Sequence, residues 1–376
     1  MYKKRVLSVM LEVGFGHKSP ALAVQEQLVQ KYSDRVINDV VDFAHASGAH
    51  KTDEQLKKSW DIALAFPISA RIGYLLVELA GNNLAYIDAF FKDFVEKGIA
   101  YIDKYKPDCI FATHPLCLYI AVQAKKELQL TCPIIAYVVD PFDGYAWWAN
   151  EDADALLVAS EYSKKRLIEH GINESKIIIK GFPLKQSFQK IDQEKADALK
   201  ASLGLAMNYP TILTVAGAQG IGKVFQYIEL LANSEKKINL ITVAGKNKQT
   251  KKRMDVAASR ASFPFISLGY VTNMHELMSV ADVILSKAGA STAMEAIFLQ
   301  KPMIFTEWAA YNDRYIIDFV LDYNIGFYCP TYFSFLQTIN DIVAKNKLEQ
   351  CTKNLLELQM KPGAEEVADF IVSTII

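Results

Sequence analysis

The chain has 376 residues, of which 51% are hydrophobic and 22% are charged, and its formal net charge is -1. This length suggests two domains of ordinary size, each able to bury a core of its own. The near-zero charge argues against a nucleic-acid-binding protein, which usually has a strong basic excess. Five cysteines without a CxxC pair are typical of a reduced, cytoplasmic protein.

Neither a signal peptide nor a membrane span is predicted. The apolar run near the N-terminus is too short and too often interrupted by glycine for a signal peptide. No uninterrupted apolar run approaches the ~20 residues that span a bilayer. Any association with a membrane is therefore expected to be peripheral.

Strand-like and helix-like segments alternate along the whole chain, which favours parallel sheets with helices on both faces. The predicted strands are 6–11, 36–41, 109–113, 134–139 and 155–159, then 211–216, 239–244, 265–267, 283–285 and 303–306. We therefore predict an α/β protein with two Rossmann-like, doubly wound domains. The carboxyl ends of both sheets are expected to face a central cleft, where ligands normally bind.

A polar segment, 185–209, separates the two halves and predicts a linker with a surface helix. The predicted domains are therefore residues 1–186 and 187–361. The last segment, 362–376, predicts a short amphipathic helix that can return to the first domain.

The loop after the first strand contains Gly14, Gly16 and His17. Ser19 suits the N-cap of the next helix, and Pro20 suits its first position. His17 would then lie at the carboxyl end of a strand beside a helix N-terminus. A histidine there can act as the general base on an acceptor hydroxyl. The alternative is a histidine that only caps the helix or binds phosphate.

Two further polar residues end predicted strands in the first half. Asp140 is the second candidate base, or the group that orients His17, and His114 is the third candidate base. A structural role is equally compatible with each of them. Trp147 and Trp148 follow Asp140, where they would line an apolar acceptor groove or pack at the domain junction.

The second half begins with a glycine-rich loop that contains Gly217, Gln219 and Gly220. Its sequence formally matches GxxxxGK, but Val224 takes the place of the Ser or Thr that holds magnesium in a P-loop. A loop that contacts a diphosphate without magnesium is therefore favoured over an ATPase loop. A tight turn without a ligand is the alternative.

The stretch 269–313 is the most informative part of the chain. It predicts a strand at 283–285, a turn of small residues at 289–292 and a helix at 293–299. Backbone N–H groups of Ala290, Ser291 and Thr292 can approach an anion at the positive end of that helix. Glu295 suits a ribose hydroxyl, or it forms a capping box with Thr292.

Two pairs of short polar side chains have different predicted roles. Asn312 and Asp313 follow the strand at 303–306 and suit sugar hydroxyls, although a turn-forming role fits equally well. Asp152 and Asp154 form a DxD motif, which holds a metal ion in one class of sugar transferases. Because this motif precedes its strand, we expect it at the amino end of the sheet, on the surface.

The segment 59–98 is unusually rich in large apolar residues and is flanked by Lys57, Lys58 and Arg71. An interfacial element that faces lipid has such a composition. Helices of the protein core have it as well.

Several blocks of the sequence, in this order, resemble the family 28 glycosyltransferases. They are GFGHKSPALAV, VVDPFDGYAWW, VAGAQGIGKV, GYVTNM and KAGAST followed by Glu295. The similarity extends over nearly the whole chain. It is strongest to the branch of the monogalactosyldiacylglycerol synthases and processive diacylglycerol glucosyltransferases.

This resemblance implies the GT-B fold and an inverting, metal-independent transfer from a UDP-sugar. It implies that His17 faces the acceptor and that backbone around Val271 and Met274 holds the base. Glu295 would bind the ribose and Asn312 with Asp313 the sugar. The diphosphate would be bound by Ala290, Ser291 and Thr292, with Gly217, Gln219 and Gly220 nearby.

The expected activity is transfer of hexose from a UDP-hexose to a lipid hydroxyl, most plausibly that of diacylglycerol, at the inner face of the cell membrane. Residues 1–186 would form the acceptor and membrane-facing domain and residues 187–361 the donor domain. No metal ion or cofactor besides the UDP-sugar is implied.

The family usually has Gly-Gln-Glu where this chain has Tyr311-Asn312-Asp313, so the resemblance does not determine which hexose is transferred. Alternatives are a small-molecule or polyprenyl acceptor, or a nucleotide-sugar sensor without turnover.

Overall fold

The structure of the protein is a computed structural model that describes residues 3–14, 16–81, 84, 86–215, 223–344 and 347–376. The chain divides into two compact units. Unit 1 consists of Met1–Gln186 together with Lys361–Ile376, and unit 2 consists of Ser187–Met360.

Unit 1 is built on a parallel sheet that has six strands within the described residues. The strands are β1 (Lys4–Met10), β2 (Val36–Asp42), β3 (Cys109–Ala112), β4 (Ile134–Tyr137), β5 (Ala155–Val158) and β6 (Ile177–Ile179). They lie in the order β2-β1-β3-β4-β5-β6. Every residue of β3, β4 and β5 is buried, as expected for strands covered on both faces. The strand order reverses between β1 and β3, and such a switch point is where doubly wound sheets bind ligands.

Helices connect these strands and cover the sheet of unit 1. They are α1 (Lys18–Tyr32), α2 (Phe43–Ala46), α3 (His50–Ala65), α4 (Pro67–Ala80), α5 (Tyr86–Tyr105), α6 (Pro115–Glu127) and α7 (Glu161–Glu169). A 3-10 turn spans Ala146–Trp148. The long connection from β2 to β3 therefore contains four helices, of which α3 to α5 occupy the apolar segment 59–98.

The C-terminal segment returns to unit 1 and forms the helix α16 (Ala364–Ile375). Where the chain crosses back, the Gly363 N–H donates to the Phe182 carbonyl oxygen at 2.9 Å. A Cβ atom on Gly363 would lie 1.6 Å from the Gly181 carbonyl oxygen, so only glycine fits there. α16 then packs on α1, where Lys31 and Tyr32 both donate to the Asp369 carboxylate.

Unit 2 contains a second parallel sheet, again with six strands among the described residues. The strands are β7 (Thr211–Val215), β8 (Asn239–Val243), β9 (Phe265–Leu268), β10 (Val283–Ser286), β11 (Met303–Phe305) and β12 (Gly326–Tyr328). Their order, β12-β11-β10-β7-β8-β9, is the strand order of the Rossmann fold. The switch point of this sheet lies between β7 and β10.

The helices of unit 2 alternate with its strands. They are α8 (Gln193–Ser202), α9 (Val224–Leu231), α10 (Lys248–Ala258), α11 (Met274–Val280), α12 (Ala290–Phe298), α13 (Tyr311–Asp322), α14 (Tyr332–Val343) and α15 (Leu348–Glu357). The core between β7, β8 and β10 and helices α9 and α14 is formed by large apolar side chains such as Phe225, Ile228, Phe335 and Ile339. Burial of each of these side chains contributes about 1.5–3 kcal/mol.

The prediction of two doubly wound α/β units is confirmed, and each predicted strand corresponds to an observed one. The edge strands β6 and β12 were not predicted. Each has three residues, which is too short for a hydrophobic pattern to be distinguished from a loop.

Among the described helices, no single one is both long and apolar enough to cross a membrane. One sharply bent pair, His50–Ala63 with Pro67–Ala80, reaches that length and composition when joined.

Candidate active site

The loop between β1 and α1 places His17 at the carboxyl end of β1. The helix begins at Lys18 with His17 as its N-cap residue, so the prediction of Ser19 as N-cap and Pro20 as first helical residue is wrong. Gly14 has a φ of +77°, and a Cβ atom there would lie 3.2 Å from the indole of Trp60. The loop therefore needs glycine at position 14 for its backbone conformation and for its contact with α3. Gly16 has open space around it.

His17 is tied to the end of the neighbouring strand β3 by two reciprocal hydrogen bonds. Its ring Nδ1 lies 2.7 Å from the Thr113 carbonyl oxygen, and the Thr113 hydroxyl donates to the His17 carbonyl oxygen at 2.8 Å. A carbonyl oxygen only accepts, so Nδ1 bears the hydrogen. In the neutral ring Nε2 then has an unprotonated lone pair, which is the form that a general base requires. The partner of Nδ1 is therefore the Thr113 backbone and not the Asp140 side chain.

Burial lowers the pKa of His17 to about 4, although the hydrogen bond to Thr113 raises it. The ring is therefore neutral throughout the physiological pH range. A histidine with so low a pKa accepts a proton less readily than an ordinary one, because its imidazolium form is poorly solvated.

His114 lies beside His17, with the two ring centroids 4.4 Å apart. Its Nδ1 accepts the Leu116 N–H at 3.1 Å and so caps the N-terminus of α6. The neutral ring must then have its hydrogen on Nε2, which makes His114 a donor there. Burial and the neighbouring His17 lower the pKa of His114, which keeps the ring neutral. This tautomer argues against the prediction of His114 as a base.

Asp140 follows β4 and is buried. Its Oδ2 accepts the indole N–H of Trp148 at 2.9 Å, and its carbonyl oxygen accepts the Ser163 hydroxyl. Trp148 is fully buried, so it packs in the interior of unit 1 and does not line an open acceptor groove. Trp147 is half-buried, and its indole N–H donates to the Tyr86 hydroxyl.

A network of buried charges near Asp140 was not predicted from the sequence. Asp143 has no solvent exposure and accepts from the Tyr74 hydroxyl at 2.7 Å and from Arg166 Nε at 3.1 Å. Arg166 also donates to Glu78 at 2.6 Å. Burial raises the pKa of Asp143 to about 6. Because Tyr74 and Glu78 belong to α4, this network fastens α4 to the loop after β4.

Helix α4 presents its apolar side to solvent. Ile68, Ile72, Leu75, Leu76 and Leu79 recur at helical spacing on one face, and all five are exposed, Leu79 by 84%. None of the side chains of α4, each of which lies within the described residues, is buried. Polar residues face the protein instead, so α4 reverses the usual pattern of a surface helix. Of the two alternatives for this segment, packing in the protein core does not apply to α4.

In unit 2 the predicted phosphate turn is the first turn of a helix. α12 begins at Ala290 with Gly289 as its N-cap, so Ala290, Ser291 and Thr292 present the N–H groups that a helix leaves unpaired. The buried Ser291 hydroxyl has no hydrogen-bond partner among the residues that the structure describes. The predicted capping box of Thr292 with Glu295 is wrong. It would require Thr292 as the N-cap residue, but Thr292 is the third residue of α12.

Lys287 is a residue of this site that sequence reasoning missed. It follows β10 directly, at the switch point of the sheet and just before α12. Burial lowers its pKa, whereas the charges of Asp313 and Glu307 raise it. Its ammonium forms no ion pair or hydrogen bond within the described part of the chain. A lysine next to the KAGAST turn was the available signal, because a cation beside a helix N-terminus completes an anion site.

The remaining predicted donor residues lie near the carboxyl ends of the same sheet or outside the described residues. Val271 lies between β9 and α11, Met274 begins α11, and Glu295 is buried in α12. Asn312 and Asp313 are in the first turn of α13, where Asp313 Oδ2 accepts the Ala309 N–H at 2.9 Å. Gly217, Gln219 and Gly220 lie outside the described residues.

No cluster of three or more His, Cys, Asp or Glu that could hold a metal ion occurs within the described ranges. Asp152 and Asp154, at the amino end of β5, form surface ion pairs with Lys126 and Lys125. Their prediction as surface residues is confirmed.

Two family models match successive parts of the chain. The model described as monogalactosyldiacylglycerol (MGDG) synthase matches residues 17–184, and that of the glycosyltransferase family 28 C-terminal domain matches residues 211–367. The processive diacylglycerol beta-glucosyltransferase of Bacillus pumilus (strain SAFR-032) is 24% identical over 377 residues, covering 98% of this chain and 94% of the relative. The chloroplastic monogalactosyldiacylglycerol synthase 3 of Arabidopsis thaliana is 24% identical over 386 residues, covering 97% and 80%.

Solved structures show the same fold. MurG of Acinetobacter baumannii superposes with a TM-score of 0.63 at 15% identity, covering 98% of this chain and 99% of MurG. HepE of Anabaena, in complex with UDP-glucose, superposes with a TM-score of 0.55 at 16% identity, covering 99% and 97%. The family models and the relatives, together with this fold, define a glycosyltransferase of the GT-B class. The chain belongs to glycosyltransferase family 28, in the branch of the monogalactosyldiacylglycerol synthases and processive diacylglycerol glucosyltransferases.

The lowered pKa of His17 predicts how stability depends on pH. In the unfolded chain the ring is protonated below about pH 6.5, whereas the folded protein resists protonation down to about pH 4. The contribution of His17 to the free energy of unfolding is therefore present above pH ~6.5 and is lost as the pH falls toward 4. His17→Gln should show a smaller loss over this interval in urea unfolding. An equal loss in both proteins would contradict the burial of a neutral ring.

Proposed function

We propose that the protein transfers a hexose from a UDP-hexose to the hydroxyl group of diacylglycerol, at the inner face of the cell membrane. The transfer inverts the configuration at the anomeric carbon and uses no metal ion. The main structural support is His17, which is held neutral with the Nε2 lone pair unprotonated. The lipid acceptor is supported by the names of the relatives and by the reversed helix α4.

In the reaction that we propose, the acceptor oxygen forms a bond to the anomeric carbon. The bond from that carbon to the UDP oxygen breaks, and its electron pair leaves with UDP. His17 Nε2 takes the proton of the acceptor hydroxyl, and Asp140 is the alternative base. The adjacent His114, with its Nε2–H, can donate a hydrogen bond to the acceptor oxygen.

Charge on the departing diphosphate must be balanced when no metal ion takes part. Three groups of unit 2 are suited to this role at the start of α12: the unpaired N–H groups of its first turn, the Ser291 hydroxyl and the Lys287 ammonium. The helix N-terminus alone corresponds to roughly half a positive charge. Lys287 adds a full charge in a half-buried position, where water screens it weakly.

The acceptor side of the proposal depends on α4. Its apolar face is exposed to solvent, as are Phe66, which precedes the helix, and Phe90 of α5. Insertion of such a face into the boundary between head groups and acyl chains is favourable in proportion to its apolar area. A diacylglycerol acceptor is found only in that environment.

Replacement of His17 tests the catalytic proposal directly. His17→Ala should reduce turnover by about two to four orders of magnitude, because a general base typically contributes that much. UDP affinity should stay unchanged. The measurement is UDP release from UDP-glucose, UDP-galactose and UDP-N-acetylglucosamine with diacylglycerol vesicles present. Retained turnover would assign the base role to Asp140, and no release from any donor would support a sensor.

The role of Lys287 is tested by comparing two ligands. Lys287→Met should weaken UDP binding about tenfold or more, because a hydrogen bond to a charged group is lost. Uridine, which has no diphosphate, should bind equally well to both proteins in calorimetry. Lys252→Met, at an exposed position on α10, is the matched control. A parallel loss of uridine affinity would mean that Lys287 is needed only for the fold.

The membrane surface is tested by vesicle flotation. The double variant Leu75→Gln and Leu79→Gln should reduce vesicle partitioning on the order of a hundredfold, since two exposed leucines no longer insert. Its melting temperature should change little, because neither side chain is buried. Leu230→Gln, at an exposed position on α9, is the control. Unchanged flotation of the double variant would exclude α4 as the membrane contact.

A further inference from the structure

A cavity with a basic wall and an apolar wall lies in unit 2, at the sheet edge opposite to the start of α12. Its volume is about 550 Å³. Residues that precede three adjacent strands line it: Pro210 before β7, Asp282 before β10 and Pro302 before β11. Strands of three to five residues separate the two edges by on the order of 10–15 Å. The cavity is therefore distinct from the proposed donor site.

Lysines are concentrated at this cavity. Lys200 and Lys301 line it, and Lys190 lies close enough that its charge, like that of Lys200, lowers the pKa of Lys301. Burial is the larger cause of that lowering. Lys353 and Glu349 also line the cavity and offset each other. Among the described residues that line the cavity, Asp282 is the carboxylate with an ion-pair contact to this cluster of Lys190, Lys200 and Lys301.

The single negative charge of Asp282 does not balance the positive charges of these three lysines. Its Oδ2 already accepts the Thr211 N–H at 2.7 Å, and the Lys200 ammonium lies 3.6 Å from the same oxygen. Lys301 donates one hydrogen to the Ser279 carbonyl oxygen, at the end of α11. An ammonium group has three hydrogens, so each lysine keeps donors for a further acceptor. Like charges held together with one carboxylate favour an added anion.

The opposite wall of the cavity is apolar. Leu348 and Leu356 of α15 and Ile342 of α14 line it, together with Met207. Met207 and Leu356 are about half exposed. A ligand that fits both walls has an anionic group and an apolar or flat part. Phosphate on an organic carrier has this chemistry, since its oxygens accept several hydrogen bonds from ammonium groups.

We propose that this cavity is a second anion site, which binds a phosphate group through Lys200 and Lys301. The site goes beyond the proposed transfer reaction and does not depend on it. The phosphate belongs either to a soluble compound or to a phospholipid head group.

The experiment uses the whole chain in saturating UDP, so that the proposed donor site is filled. Thermal unfolding is measured with sodium phosphate and with sodium chloride at equal ionic strength. Phosphate should raise the melting temperature of the wild-type protein, because a ligand that binds only the folded state stabilises it. Lys200→Met and Lys301→Met should each weaken phosphate binding about tenfold or more.

Two controls separate binding from folding. Lys252→Met should respond to phosphate as the wild-type protein does, and Lys301→Arg should retain most of the response because it keeps the charge. Lys200→Met leaves the hydrogen bond from Lys301 to α11 in place, so it remains informative if Lys301→Met does not fold. No phosphate response in the wild-type protein would overturn the proposal, as would equal responses in wild type and Lys200→Met.

Vesicles identify the source of the phosphate. Phosphatidylcholine vesicles with and without phosphatidylglycerol are compared in flotation, using the wild-type protein and Lys200→Met. A gain from phosphatidylglycerol that Lys200→Met lacks would support the site with a lipid head group as its ligand. A response to inorganic phosphate alone would support it with a soluble ligand. Failure of these tests would leave UDP release from a hexose donor unaffected, so the two proposals fail separately.

Discussion

The parallel arrangement of the strands is the constraint on which the rest of this structure depends. Because every strand in a sheet runs in the same direction, the loops after the strands all emerge at one edge. The next helix begins at that edge, so its unpaired N–H groups point the same way. At the switch points, between β1 and β3 and between β7 and β10, two such loops diverge and leave room for a ligand. His17 and Lys287 lie beside these two positions.

Hydrogen bonding with the backbone then decides what each polar side chain can do. His17 and His114 are adjacent histidines, yet the Thr113 carbonyl and the Leu116 N–H fix them in opposite tautomers. At Nε2 the His17 ring can accept a proton, whereas the His114 ring can donate a hydrogen bond. In unit 2, Asp313 Oδ2 accepts a backbone N–H, whereas the Lys287 ammonium has no hydrogen-bond acceptor among the residues that the structure describes. The neighbouring main chain therefore assigns roles that residue types alone leave open.

The sequence was sufficient for the fold class, the main strands and the polar residues at their carboxyl ends. It was insufficient where three-dimensional partners decide. The pattern of α4 shows which residues share a face, but the direction of that face depends on Arg166 and Asp143, which are distant in sequence. The start of α12 was displaced in the prediction because alanine, serine and threonine are poor signals of a boundary. Lys287 was overlooked although it opens the KAGAST motif, because its burial beside the start of α12 is visible only in three dimensions.

The crossing of Gly363 over Gly181 has a consequence for how the protein is made. Unit 1 is interrupted in sequence by the whole of unit 2, and α16 is synthesised after both. Until α16 is synthesised, the face of α1 that receives it stays exposed on the nascent chain. Unit 2 is continuous in sequence, so its synthesis is complete before that of α16. Domains usually fold from the N-terminus onward during translation. Here the first unit to begin is the last to be completed, and the face of α1 that receives α16 lacks its partner for the time that translation of unit 2 takes.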